Sequence, residues 1–458
     1  MKTETIGAGT GKNILQPTRR TLLQGGFGVA AAAVALPGFG AAARAADYSA
    51  LGTYPAGAQG DTIFIGLITP LTGPYASSGQ DMQKGFELAA EHLNDGSPVT
   101  KAVPSLQKAR GVLGKKITFQ VADSQTKPDP AVEAATRFIH DNHAIMLTGG
   151  VNSAVSIALE KLGQRDKVVF MVGNSGSNDT TGKDCQRFGF RSQPSAYMAA
   201  KALAPVLAKE LGKTRKAAYL VPDYTYGHSV YDSMTKFTEA EGWTTVSEQL
   251  APLGTTDFGS YLLNIANSGA DVFVNVAFGA DAVASTKQAE QFGVFKKLKY
   301  VVPNISQFQA KELGAAIMGG TYGTQAWWWT EENTFPLAKY FVADFGKKYG
   351  YMPRWGASEV YLQMIVWADA VSRSGTLYPP KVIAALEDGH KIDTIYGTVW
   401  YRAGDHQMVR PVPVMIGKKP AQMNGADDYY RIVELVAGET VMPPLAEAGC
   451  HMPSVAAA

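Results

Sequence analysis

Charge of one sign is what this 458-residue chain lacks first: 42 Lys and Arg stand against 40 Asp and Glu, a formal +2. No concentrated basic field is left over to hold a phosphate backbone, so no nucleic-acid partner is expected. Cysteine is almost missing as well. Two of them, Cys185 and Cys450, build neither a disulfide scaffold nor a four-thiolate zinc centre, and no CxxC or HExxH spacing occurs, so no metal and no cofactor is expected. The seven histidines show no ligand spacing, and His228 and His406 read as surface or packing residues rather than bases. No Gly-x-Ser-x-Gly elbow follows residue 45, and Gly7, Gly9 and Gly11 before Lys12 imitate a phosphate loop only until Asn13, where Ser or Thr is needed. An enzyme is not expected. Long apolar runs are also missing: after residue 45 no stretch reaches the ~20 residues of a membrane span without a charge or a turn signal. What is present, 46% hydrophobic and 10% aromatic residues, suffices for two domains with real cores and excludes a disordered chain.

Residues 1–45 read as an address. A polar, basic stretch ending in Thr18-Arg19-Arg20-Thr21-Leu22-Leu23 leads into an apolar run from Gly25 to about Leu36, and small residues close it with Ala43-Arg44-Ala45. That is the layout of a cleavable export signal. It resembles a twin-arginine signal, with Leu22 where that motif prefers Phe and Gln24 where it prefers Lys; general secretion is the alternative. No cysteine lies near the cut, so no lipid anchor is expected. The segment carries five cations and one acid, so the exported remainder stands at −2 and is expected to be soluble and periplasmic. In an oxidising compartment Cys185 and Cys450 are either bridged or a buried thiol and a tail thiol.

From Asp61 one unit repeats. Apolar Ile63 to Ile68 meets a turn-rich loop and then a helix with Met82, Phe86, Ala89, Ala90 and Leu93 at 3.6 spacing. Ile117 to Val121, Ala144 to Leu147 and Val168 to Val172 follow as strands, each with a helical pattern behind. After Arg191-Ser192-Gln193-Pro194 the alternation restarts, with strands at Ala217, Thr244, Val272 and Lys299. Strands apolar along their whole length belong to parallel sheets covered on both faces. The expected fold class is α/β with two Rossmann-like lobes, and a cleft is expected where the carboxyl ends of the two sheets face each other.

The segment Ile65-Gly66-Leu67-Ile68-Thr69-Pro70-Leu71-Thr72-Gly73-Pro74-Tyr75-Ala76-Ser77-Ser78-Gly79, then Gly85-Phe86-Glu87-Leu88-Ala89 and Leu93-Asn94, resembles the opening of the type I periplasmic binding proteins of the leucine/isoleucine/valine-binding family. These are substrate-binding subunits of ABC importers. Matches continue in order through Asp123-Ser124-Gln125, Gly149-Gly150 with Ser153, Asp223 with Tyr226-Gly227, Asp257-Phe258, Ala270-Asp271 and Asp405-His406-Gln407, covering roughly residues 60–415. The resemblance implies two lobes joined by three crossovers, near Arg191 to Ser195, Gly323 to Ala326 and Gly375 to Pro380. The first lobe is then 60–193 with 325–376, the second 196–322 with 379–430, and 431–458 a tail. Each crossover carries Gly, Pro or small residues able to absorb a hinge's dihedral change. The implied partners are a small-molecule ligand and the permease of an ABC transporter in the inner membrane, with the binding protein itself a monomer. A sensory protein without a transporter is the alternative.

In this family the first lobe holds a carboxylate or similar acceptor with hydroxyls and backbone N–H groups at loop-to-helix junctions. A helix N-terminus does so through unpaired donors and a partial positive charge. Gly150-Val151-Asn152-Ser153 and Asn174-Ser175-Gly176-Ser177 are the matching junctions, so Asn152, Ser153, Ser175, Gly176 and Ser177 are expected at the anion end; the bland reading is that Asn152 or Ser153 only caps its helix. Ser77 and Ser78 match a position on the pocket wall. Tyr226 and Phe278 are the expected aromatic faces of the second lobe. Trp327 and Trp328, beside the second crossover, are expected either in the pocket or in the core. Relatives that bind α-amino acids place an acid after the strand corresponding to Tyr300 to Val302, whereas this chain reads Pro303-Asn304-Ile305-Ser306-Gln307. A buried ammonium without a counter-charge is costly. An aromatic or hydroxy acid, or an amide-like solute, therefore suits Asn304 better than an aliphatic amino acid unless Asp223 supplies the charge.

Overall fold

A computed structural model describes residues 50–108 and 110–452; the export segment 1–45 lies outside these. Five strands, β1 (Thr62–Thr69), β2 (Lys116–Asp123), β3 (Met146–Gly149), β4 (Val169–Val172) and β5 (Gly189–Arg191), form an all-parallel sheet in the order β2-β1-β3-β4-β5. Strands β3 and β4 bury every residue, β4 because it is apolar throughout and β3 with the Thr148 hydroxyl met by the Met171 carbonyl and Gln363. The Ala76–Asp95 helix lies along the 20-residue Trp355–Ser374 helix, which is buried on nearly all sides. A Cβ on Gly85 would stand 2.1 Å from the Ala357 carbonyl oxygen, so only glycine allows that approach.

The second sheet takes β6 (Lys216–Pro222), β7 (Thr244–Ala251), β8 (Val272–Asn275), β9 (Lys299–Asn304) and β10 (Tyr322–Thr324) in parallel. A small antiparallel sheet of β11 (Ile392–Thr394), β12 (Gly397–Tyr401) and β13 (Met408–Val409) follows, and then β14 (Val412–Gly417) and β15 (Tyr430–Val436) close the second sheet as β15-β14-β10-β9-β8-β6-β7. In both large sheets the strand order reverses beside the first strand, between β1 and β3 and between β6 and β8. Those two switch points open a crevice beyond the carboxyl ends of the strands.

The chain passes between the sheets at Ser192–Ser195, at Gln325–Trp328 and at Arg410–Pro411. The third passage is a correction to the expected Gly375–Pro380. Gly375 is a left-handed helix C-cap at φ 66°, and Pro379 opens the next helix, Pro379–Glu387, which packs against Trp355–Ser374. The Gly and Pro punctuation there marks a helix–helix turn, so residues 379–409 stay with the first sheet, where Gln407 bridges Arg191. Within the expected tail, residues 431–452 are tied to the rest of the chain. Tyr430–Val436 is a strand, Gly438–Val441 packs on the Ala196–Leu211 helix, the Arg402 guanidinium donates to the Pro443 carbonyl, Lys236 pairs with Glu447, and Cys450 is disulfide-bonded to Cys185.

All three passages converge on one buried ion pair. Arg410, 1% exposed, donates to the Glu359 carboxylate, to the Ser192 carbonyl and to the Ala326 carbonyl, and its guanidinium lies 3.8 Å from the centre of the Tyr396 ring. Glu359 also accepts from the hydroxyls of Ser192 and Tyr396. Two charges removed from water are tolerable when their mutual attraction and added hydrogen bonds offset the lost hydration, and here all but the Arg410 Nε are met. Truncating one partner leaves the other uncompensated, so Arg410→Met is expected to lose about 3–5 kcal/mol of unfolding free energy in urea titrations, and an unchanged midpoint would refute this.

Nearby, burial pushes Glu331 up to about 8, despite the Trp328 N–H it accepts and the Arg410 charge. An acid whose folded value is raised holds its proton longer folded than unfolded. Its contribution is therefore full below the ordinary 4.5 and is lost as pH rises toward 8. Stability is expected to fall between pH 5 and 8 by up to about 1.4 kcal/mol per unit from this group. Glu331→Gln should flatten that slope in a melting-temperature series.

Candidate functional site

The loops beyond the switch points build the site. After β1 the chain turns at Leu71–Tyr75, and Asp123 at the end of β2 pins that turn: the Thr72 hydroxyl and the N–H groups of Gln125, Leu71 and Thr72 hold its carboxyl below the ordinary range against the effect of burial. After β6 the helix Thr225–Ala240 begins, and after β8 the helix Gly279–Gln291. These elements meet the first half directly. The hydroxyls of Tyr75 and Tyr224 are 2.8 Å apart, the Ala280 N–H donates to the Pro74 carbonyl at 3.0 Å, and the Phe278 ring stands 5.2 Å from Tyr75 and 5.7 Å from Trp355. The halves are closed on each other. Gly279, at φ 62°, makes this contact possible, because a Cβ there would stand 2.5 Å from the Pro74 oxygen.

Two of the spaces between the halves bear on a guest; a third lies among Asn178, Thr181, Arg191, Tyr197 and Gln407. The inner one, nearly shut in this closed arrangement with about 20 Å³ open to the centre of a water-sized sphere, runs between Gly176 and Gln193 on one side and Tyr226, Val230 and Asn304 on the other, with Gln325 at the hinge. Among the described residues no charged side chain lines it. The outer one, about 10 Å³ by the same measure, lies among Ser77, Ser78, Asp81, Arg354 and Trp355 of the first half and Ser306 and Gln307 of the second, so it holds one acid and one cation. Buried polar atoms without protein partners gather here: both amide atoms of Asn174 and of Gln325, Oε1 of Gln307 and Nε of Arg354. Such groups are costly to bury unpaired, and their concentration in one cleft points to a polar guest. The Tyr226 hydroxyl has no well-formed partner either; burial pushes it up to about 12, opposed by the Asn304 side chain.

The expected site residues fall into three groups. Tyr226, Asn304 and Gly176 line the inner space, Ser77 and Ser78 the outer one, and Phe278 forms the closure contact. A second group is partnered within the protein. Asn152 caps its helix by accepting from the N–H groups of Ala154 and Val155, Ser153 accepts from the Ser177 N–H, and Ser175 pairs with Thr180. Ser177 Oγ lies 2.8 Å from Thr225 Oγ1 and 3.0 Å from Ser229 Oγ, so it joins the two halves. The third group leaves the site. Trp327 is packed against Phe341 and Tyr396 and donates to the Ile395 carbonyl, and Trp328 packs on Tyr430. Both rings turn into the cores because the passage carrying them runs beneath the cleft. Asp223 is exposed and paired with His228, away from the spaces, while His406 is buried, stacked on Phe190 and held between the Gly189 carbonyl and Glu387.

Four groups escaped the sequence reading: Asn174, Gln325, Arg354 and Trp355. Asn174 sat inside a motif already singled out, between Gly173 and Ser175. Arg354 had a weaker signal, a charge between Pro353 and the start of an apolar helix.

The class this geometry defines is a two-lobed clamp that holds a small guest between α/β halves. The periplasmic binding protein family matches residues 62–421, and the chain belongs to that family. Leu/Ile/Val-binding protein homolog 3 of Brucella melitensis is 24% identical over 340 residues, 74% of this chain and 87% of that protein. Among solved structures, a periplasmic binding protein from Burkholderia mallei superposes with a TM-score of 0.77 at 26% identity, covering 85% of this chain and 98% of its own. An ABC-transporter solute-binding protein from Rhodopseudomonas palustris BisB5, in complex with 3,4-dihydroxybenzoic acid, gives a TM-score of 0.71 at 21% identity over 82% and 97%.

Gly279→Ala is expected to prop the halves open. Small-angle scattering should give a larger radius of gyration than the unsubstituted protein at every concentration of added ligand, and identical curves would remove Gly279 from closure.

Proposed function

We propose that this chain is the extracytoplasmic solute-binding subunit of an ABC importer, exported by its N-terminal segment, and that it captures a small carboxylate whose body is aromatic or otherwise uncharged. The observation that carries the ligand class is the inner space, walled by Tyr226, Val230, Asn304 and backbone at Gly176 with no acid to balance an ammonium. A zwitterionic aliphatic amino acid would bury its cation there uncompensated, at a cost of several kcal/mol. A ring meets apolar and aromatic surface on the second half and neutral amides beside it. The role is capture and delivery with no bond made or broken: the guest adds contacts only in the closed arrangement, and so shifts the population toward it. A second reading, an amide-bearing solute, is favoured by the unpaired amides of Asn174 and Gln325, which can exchange paired hydrogen bonds with a ligand amide.

Isothermal titration with benzoate, 4-hydroxybenzoate, 3,4-dihydroxybenzoate, benzamide, L-leucine and L-phenylalanine separates these readings. Micromolar binding, about −8 kcal/mol, is expected for at least one aromatic acid, with L-leucine at least about 100-fold weaker. Tightest binding of L-leucine would overturn the ligand class, and tightest binding of benzamide would select the second reading.

A further inference from the structure

The hinge end of the inner space gathers polar side chains that the protein's own hydrogen bonding leaves over. Gln193 stands on the first passage, Gln325 on the second, and Tyr226 in the first turn of the Thr225–Ala240 helix. They are 5%, 2% and 5% exposed. Oε1 of Gln193, both amide atoms of Gln325 and the Tyr226 hydroxyl have no well-formed hydrogen bond among the described residues. Two other polar side chains of the same walls are already engaged. Ser195 Oγ accepts from the Met198 N–H, and Thr324 Oγ1 donates to the Pro303 carbonyl at 2.7 Å.

The backbone that presents these groups is fixed. Gln407 Nε2 donates to the Gln193 carbonyl at 3.0 Å, and Arg410 donates to the carbonyl of Ala326, the residue after Gln325. Tyr226 belongs to the second half and packs on Gly176 of the first, where a Cβ would stand 3.0 Å from its ring. The leftover set is therefore assembled only when the halves meet.

Its chemistry is neutral and uneven: two carbonyl oxygens accept, one NH2 group donates, and a phenol does either. A carboxylate would face those oxygens with no cation among the lining residues, and an ammonium would find no acid. One uncharged group that both donates and accepts completes the set. The room agrees, since the closed space takes about one water-sized group, too little for a ring but enough for a substituent on one.

Resting on the ligand class proposed above, we infer that the guest points an uncharged hydroxyl or amino substituent at the hinge, held by Gln193, Gln325 and Tyr226, and turns its carboxylate away. These are specificity-determining residues. A site built to hydrogen-bond a substituent rejects an analogue lacking it, because its buried polar groups are then left unpaired. A resident water would meet the same groups and make the site indifferent to the substituent.

Titration calorimetry with 4-hydroxybenzoate, 4-aminobenzoate and 4-fluorobenzoate, on the full protein and on Gln325→Leu and Gln193→Leu, separates these occupants. On the unsubstituted protein the hydroxy or amino acid is expected to bind at least about 10-fold tighter than the fluoro acid, and in Gln325→Leu that ratio should fall below about threefold, with Gln193→Leu between. Melting temperatures identify a variant that is merely unfolded; if Gln325→Leu is, Gln193→Leu and Tyr226→Phe carry the comparison. A ratio under about threefold on the unsubstituted protein, the mark of a resident water only, overturns the subsite and leaves the ligand class standing. So does a ratio that the folded variants keep, as when a substitution weakens all three acids alike through packing. Failure of the unsubstituted protein to bind any of these acids or those of the earlier panel overturns the ligand class and the subsite together.

Discussion

Every route between the two halves runs past the Arg410–Glu359 pair. Arg410 sits on the third passage and donates to backbone carbonyls of the other two, while Glu359 belongs to the most deeply buried helix of the first half. A hinge must let three chain segments change their dihedrals together, and a shared charged centre makes them move as one. The same centre constrains its surroundings. With Arg410 and Glu359 1% and 0% exposed, neighbouring polar groups are cut off from water: Ser192 and Tyr396 are met by Glu359, the Tyr401 hydroxyl stays without a partner, and a further acid, Glu331, is driven toward its neutral form.

Around that pivot the cleft divides its chemistry by depth. Near the hinge the walls are neutral, mixing small side chains with Tyr226, Asn304 and Gln325. In the other space lie Arg354, Asp81 and the first turn of a long helix, whose Ala357 N–H donates to Asp81. Closure is secured separately, by the Tyr75–Tyr224 hydroxyl pair, the Pro74–Ala280 backbone bond and the cluster of Ser177, Thr225 and Ser229. Hydroxyl pairs of this kind exchange readily with water, so each contributes little net free energy.

Strands and helices were legible because their periods are strong: Ile63 to Ile68 and Val272 to Val274 are apolar on both faces, and Met82, Phe86 and Leu93 fall on one helical stripe. Tyr226, Phe278 and Asn304 were legible because a loop after a sheet strand at a switch point has only one place to go. The third passage was not, since Gly375 and Pro379 end and start helices with the same residues a hinge would use. Nor was the fate of the serines: a hydroxyl at a helix N-terminus looks the same in sequence whether it meets a ligand or its own backbone, and here Ser153 and Ser175 found protein partners. Arg354 stayed hidden because nothing local distinguishes a surface arginine from one whose Nε is buried by a distant loop.

The return of the chain end to the first half has a consequence for the covalent outline of the molecule. With Cys450 joined to Cys185, at a separation of 265 positions, the backbone from one to the other is a closed ring that contains the whole second sheet. A protease that cuts any one exposed bond in that ring opens it without releasing a fragment, so a nicked molecule keeps both walls of its cleft attached to each other.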